Sequence, residues 1–213
     1  MLRMRFYLTR SQLNWGVRPQ PASRTFKQMT PENLGAARAF VDIATQYCDF
    51  ILRVDNREGA DVLLEAERLL PALYIAALDL PDTQSSDGPW PEGITHERWR
   101  VVFLSLRSSL GVYDRYREIY DPAAMADPSG AIENGDAPVE ASLADDLADI
   151  WRDLQAGVRV WPGADEGKRR DLTGYWQESF SSHWGQHLVD ALRAIHWWRH
   201  VHHAGAVDRD PAV

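Results

Sequence analysis

Hydrophobic positions along this chain recur three and four residues apart in five long stretches, the spacing of one apolar face on an α-helix. Thr30-Pro31-Glu32 opens the first stretch, with threonine as N-cap, proline in the first turn and an acid behind it. That helix is expected to run to about Val54. Gly59 introduces the second, ADVLLEAERLLPALYIAALDL, inside which Pro71 predicts a kink or a break. A third helix is expected from Thr95 to Asp121, with Trp99, Phe103, Leu106, Leu110 and Tyr113 at helical spacing, and Asp121-Pro122 to end it. Ser142 caps the fourth, with Asp145 three residues on in the acid position of a capping box. It runs to Val160, where Trp161-Pro162-Gly163 stops it. The last helix spans Leu172 to His203, with Gly174 and Gly185 as soft points. PDTQSSDGPWPEG and DPAAMADPSGAIENGDAPVEA are loops by composition. No run of alternating β-branched residues predicts a strand. The fold expected is all-α: a single helical bundle of five to six helices with a poorly structured N-terminal tail. Residues 1–29 form that basic tail, 30–203 the helical domain and 204–213 a C-terminal tail.

Composition narrows the class. Of 213 residues, 45% are hydrophobic and 25% charged, which fits a globular domain and excludes a disordered or collagen-like chain. Nine tryptophans predict an aromatic-rich core. The net charge of −8 is unevenly spread. Arg3, Arg5, Arg10, Arg18, Arg24 and Lys27 precede the first acid, and the remainder holds 17 basic against 31 acidic residues. An acidic body repels phosphate backbones, so no nucleic-acid partner is expected. No apolar run approaches the roughly 20 residues of a membrane span, so no membrane partner is expected either. Cys48 is the only cysteine and lies among Phe40, Val41, Ala44, Tyr47 and Ile51, as a small core thiol would. A lone thiol fits a reducing, cytoplasmic location.

Candidate chemistry falls on two helices. SLADDLADIWRDL carries four acids. At about 100° per residue, with Asp145 at zero, Asp149 falls at about 40°, Asp153 at about 80° and Asp146 at about 100°. Leu143, Leu147, Ile150 and Leu154 form an apolar stripe beside them, and Asp146 and Asp153 lie nearest its edge. The plain reading is acids favoured by the helix dipole or solvated, with Arg152 pairing Asp149. The sharper reading is a cation site. Glu118 and Asp121 form one i,i+3 acidic pair, Asp146 and Asp149 another, with 24 residues between Asp121 and Asp146 at the inner ends. This arrangement resembles that of all-α nucleoside-triphosphate pyrophosphatases, which implies magnesium or manganese held over a phosphate chain.

In the last helix, YWQESFSSHWGQHLVDALRAIH, His187 falls within the apolar arc of Trp176, Phe180, Trp184, Leu188, Ala191 and Ile195, and His183 on its border. His196 and His200 fall on the far side. The HxxxH pair sets two imidazole nitrogens on one face, which is half of a transition-metal site; the glutamate of HExxH is absent. Gly185 between the histidines predicts the close approach of another helix or a ligand. A pocket is expected at His183, Trp184, His187, Trp176, Tyr116, Tyr120, Asp146, Asp149 and Asp153, with the imidazoles meeting acids of the fourth helix.

LGVYDRYREIYDP, ASLADDLADIWRDLQAGVRVW and YWQESFSSHWGQHLVDALRAIH, with LLPALY earlier, together resemble domain-of-unknown-function family 5063 from Phe40 to His196. The resemblance implies an all-helical bacterial domain and brings no activity with it. Two functions remain. One is a binding or structural module for a protein or small-molecule partner, without a cofactor and not an enzyme. The alternative is a phosphohydrolase with magnesium or manganese on Glu118, Asp121, Asp146 and Asp149.

Overall fold

In the computed structural model, which describes residues 30–83, 92–118 and 139–202, most helices begin where a side chain takes up a backbone N–H that the first turn leaves free. Helix α1 (Pro31–Ile51) starts at Thr30, whose Oγ1 accepts from the Asn33 N–H at 3.2 Å. Helix α2 (Gly59–Leu78) passes through Pro71 without a break. Helix α3 (His96–Leu110) is capped by Thr95, α4 (Leu143–Val160) by Ser142, and α5 (Glu166–Ser179) by Asp165. Helix α5 runs on through a five-residue π turn, Phe180–Trp184, into α6 (Gly185–His196) and a second π turn, Trp197–His202.

The protein is thus predominantly all-α, as its periodicity predicts. Three expectations need correction. The third helix stops at Leu110, not Asp121, because Gly111 follows with φ +54°, a positive φ that glycine adopts without a Cβ clash and that ends the helix. The chain then makes a short 3-10 turn, Gly111–Asp114, and a strand, β1 (Arg115–Glu118). This strand pairs antiparallel with β2 (Val139–Ser142), from Arg115 opposite Ser142 to Glu118 opposite Val139. Four-residue strands are too short to show the alternation that predicts a sheet. The last helix begins at Glu166 rather than Leu172, because Asp165 caps it through the Lys168 N–H at 2.8 Å. The tails at 1–29 and 204–213, and Tyr120 and Asp121, lie outside the described residues.

Helix α4 is the central rod. It packs on α1, α3, α5 and α6, and α2 closes the bundle against α1, α3 and α6. Its apolar stripe of Leu143, Leu147, Ile150 and Leu154 is fully buried, and so is Trp151. Trp176 and Trp184 are also fully buried, with ring centroids 5.2 and 6.2 Å from Phe40 of α1. Cys48 is buried in the same core, where burial pushes its thiol pKa up. Among the described residues no helix is long and apolar enough to cross a membrane.

The α4–α5 contact depends on one glycine. A Cβ on Gly157 would stand 2.4 Å from the Trp176 ring. Trp176 cannot yield, since Phe40 and Trp161 hold its ring at 5.2 and 5.8 Å. Gly157→Ala should therefore lower stability by about 1–3 kcal/mol despite alanine's better helix propensity, as overpacking does. Urea unfolding measures this. A variant as stable as wild type would show that the tryptophan has room.

Candidate functional site

Asp146, Asp149 and Asp153 recur at i, i+3 and i+7, so they line one face of α4. That face meets the rod formed by the first π turn and α6. The two rods bring their polar residues together in opposite order. His187 Nδ1 lies 2.8 Å from Asp146 Oδ1, and His183 Nδ1 lies 2.7 Å from Asp153 Oδ2. Asp149 sits between them, its Oδ2 3.5 Å from His187 Nε2 and 3.9 Å from His183 Nε2. Its other oxygen, Oδ1, lies 3.2 Å from the Arg152 guanidinium. The two imidazoles meet edge to face at 4.9 Å. Asp146, Asp149 and His187 are only 4%, 6% and 3% exposed, so this polar set is internal.

Local structure explains how the histidines reach it. In the π turn the Gly185 N–H donates to the Phe180 carbonyl, five residues back. A Cβ on Gly185 would fall 2.3 Å from that oxygen and 2.9 Å from the Phe180 ring. Glycine is required here by the helix's own widened turn, not by a second helix or a ligand as the sequence suggested. The turn places Trp184 in the core, its Nε1–H donating to Ser179 Oγ at 3.1 Å, while His183 stays at the polar seam. π turns of this kind occur often at functional sites.

The small sheet supplies the remaining polar groups. Tyr116 on β1 donates its hydroxyl to Asp146 Oδ2 at 2.6 Å and lies 3.4 Å from Glu118 Oε2. Asp114, just before β1, is buried and accepts from Ser142 Oγ at 2.8 Å and from the Ala144 N–H at 3.0 Å. It is a second cap on α4, delivered from 30 residues upstream of Ala144 in sequence. Tyr47 of α1 donates to the Leu147 carbonyl at 2.8 Å and so fixes α4 from α1. Neither residue is announced by local spacing, because each acts on a distant element.

Of the residues the sequence singles out, Tyr116, Asp146, Asp149, Asp153, His183 and His187 are brought together. Trp176 and Trp184 are core residues and line no opening. Tyr120 lies outside the described residues. Of the four acids expected to hold magnesium, Glu118 lies on a strand, Asp146 and Asp149 face imidazoles, and Asp121 is outside the described residues. Asp149, His183 and His187 each place a donor atom within 4.8 Å of the other two. Glu67, His196 and His200 do the same at the surface, although Arg199 already engages Glu67 there.

The seam holds protons tightly. Burial pushes Asp146 up to about 7, against the hydrogen bonds from His187 and Tyr116. Burial and the charge of Asp149 raise Asp145 to about 6. Burial works to lower His187, but the hydrogen bond to Asp146 and the fields of the surrounding aspartates carry it to about 9. An exposed ion pair would lower its acid while raising its base. Here both rise, because desolvating the Asp146 carboxylate costs more than one imidazolium returns.

A folded-state pKa above the unfolded value stabilises below the unfolded value, and that stability is lost as pH rises through the folded one. For His187 the window runs from about 6.5 to about 9, and for Asp146 from about 3.8 to about 7. The protein should therefore lose stability from pH 6.5 to 9, by up to roughly 3 kcal/mol through His187. His187→Gln should flatten that part of the profile. Thermal melts across the range check this, and an equal slope in the variant would place the titration elsewhere.

Comparison with known proteins agrees with the fold. The family described as "Domain of unknown function (DUF5063)" matches residues 33–201. The crystal structure of protein BF1032 from Bacteroides fragilis superposes with a TM-score of 0.64 at 25% identity, covering 80% of this chain and 94% of that one. No curated protein matches.

Proposed function

The chain belongs to the DUF5063 family, and within it we propose that this protein is a helical binding module whose working part is the polar seam between α4 and α6. One observation carries the reading: the seam's polar residues face one another in an unbroken series, Tyr116–Asp146–His187–Asp149–His183–Asp153. Such a series is a poor way to stabilise a bundle. Desolvating charged groups costs several kcal/mol each, and apolar residues of similar volume commonly hold a helix pair as well or better. A chain that keeps six polar groups at its central helix contact keeps them for recognition. The partner is a small molecule, an ion or a protein group that reaches the rim at His183, whose side chain is 17% exposed. A cytoplasmic setting suits the single buried thiol. Neither the geometry nor the comparisons support the phosphohydrolase alternative.

Stability measurements separate recognition from simple cohesion. His187→Leu strands a buried acid and should cost about 3–5 kcal/mol. Adding Asp146→Leu should recover most of that loss, leaving the double variant near wild type. Urea unfolding in the presence of a chelator gives all three values. If the double variant instead stays far below wild type, the pair is a cohesive tie and the reading fails.

A further inference from the structure

We propose that the seam is a transition-metal site of the zinc class, with Asp149 Oδ2, His183 Nε2 and His187 Nε2 as its ligands. This rests on the reading of the seam as the recognition element and names what it recognises.

The geometry is that of a set of ligands drawn slightly apart. Zinc holds imidazole nitrogen and carboxylate oxygen at about 2.0–2.2 Å, so two donors on a tetrahedral ion stand about 3.3–3.5 Å from each other. Asp149 Oδ2 stands 3.5 Å from one Nε2 and 3.9 Å from the other. A few tenths of an ångström of closure brings the carboxylate oxygen to bonding separation from each ring nitrogen, and all three residues hold donor atoms within 4.8 Å of one another.

The outer contacts are those such a site needs. A ligating imidazole is oriented by a carboxylate on its other nitrogen, which selects the tautomer and makes the ring a better donor. Both histidines have this arrangement: Asp146 holds Nδ1 of His187 and Asp153 holds Nδ1 of His183. Each Nε2 is thereby turned toward Asp149. Arg152 lies on Asp149 Oδ1 at 3.2 Å and fixes the carboxylate so that its second oxygen faces the rings. Tyr116 in turn orients Asp146 at 2.6 Å.

The donor set selects the ion. Two imidazoles and one carboxylate suit zinc and its neighbours, whereas magnesium and calcium take oxygen donors. The paired carboxylates around the rings also offset the charge of a divalent ion. Three protein donors leave a fourth tetrahedral position for water or an incoming group. The second group, Glu67 with His196 and His200, lacks this arrangement. It is largely exposed, and Glu67 is engaged by Arg199 and by His200 at 2.6 Å.

The test uses the full chain, stripped with a chelator, and titrations with zinc and with cobalt(II) as a visible probe. We expect one tight zinc equivalent per chain, tetrahedral-type cobalt absorption, and no competition from millimolar magnesium. Asp149→Ala and His187→Gln should each abolish the tight equivalent. Asp153→Asn should weaken it about ten- to a hundredfold, as loss of an outer carboxylate does. The double variant His196→Gln/His200→Gln should bind as wild type does. The proposal is overturned if wild type binds no tight equivalent, if magnesium displaces it, if it survives Asp149→Ala, or if it disappears with His196 and His200. Should Asp149→Ala lose its helical circular dichroism, Asp153→Asn decides, and unchanged affinity there overturns the assignment. The Asp146–His187 coupling measured in chelator is independent of this outcome. If the double variant recovers but no metal binds, only the metal assignment falls; tight binding with a double variant that stays far below wild type overturns the earlier reading instead.

Discussion

The contact between His187 and Asp146 is the constraint around which the rest of this structure is arranged. Each group is all but withdrawn from water, and neither could be there alone. Their meeting requires α4 and α6 to lie side by side with little freedom to slide. It also requires the start of α4 to be held, since Asp146 is only the fourth residue of that helix. Ser142, Asp114 and Tyr47 hold it there, through two capping side chains and one bond to a helix carbonyl. The short β1–β2 pair places Asp114 and Tyr116 beside α4. It was not foreseen from the sequence, yet it fastens the polar seam.

Most of the helical architecture was legible because helix boundaries carry local chemistry. Thr30 and Ser142 cap helices as their sequence neighbourhoods predict, and the third helix starts at Thr95 as expected. The expected third helix is too long because Tyr113 continues the apolar spacing past Gly111, whose positive φ stops the helix. Periodicity outweighed a glycine that was itself a stop signal. The α5 start was placed late for the opposite reason. Its first turn, EGKRR, has no apolar position, and only the Asp165 cap marks it.

The seam was partly legible as well. Helical angles place Asp146, Asp153 and His187 at or near apolar stripes, and charged residues in that position face a packing partner rather than bulk water. Pairing is a different matter. That His187 meets Asp146 while His183 meets Asp153 depends on the relative shift of two rods along each other. Packing between distant elements, such as Trp176 against Gly157, decides that shift, and no local pattern encodes it. The same gap explains why acids spaced as for a magnesium cluster turn out to flank imidazoles.

The π turn at Phe180–Trp184 gives the last helix a fixed phase. One surplus residue there offsets everything beyond it by about 100° relative to α5, so the two halves of a single rod present faces that an unbroken α-helix would not align. The packing of Trp176 and the placement of His187 are therefore independently adjustable, one before the insertion and one after. A family that lengthens or shortens this rod by a residue can re-aim the imidazoles without disturbing the aromatic core.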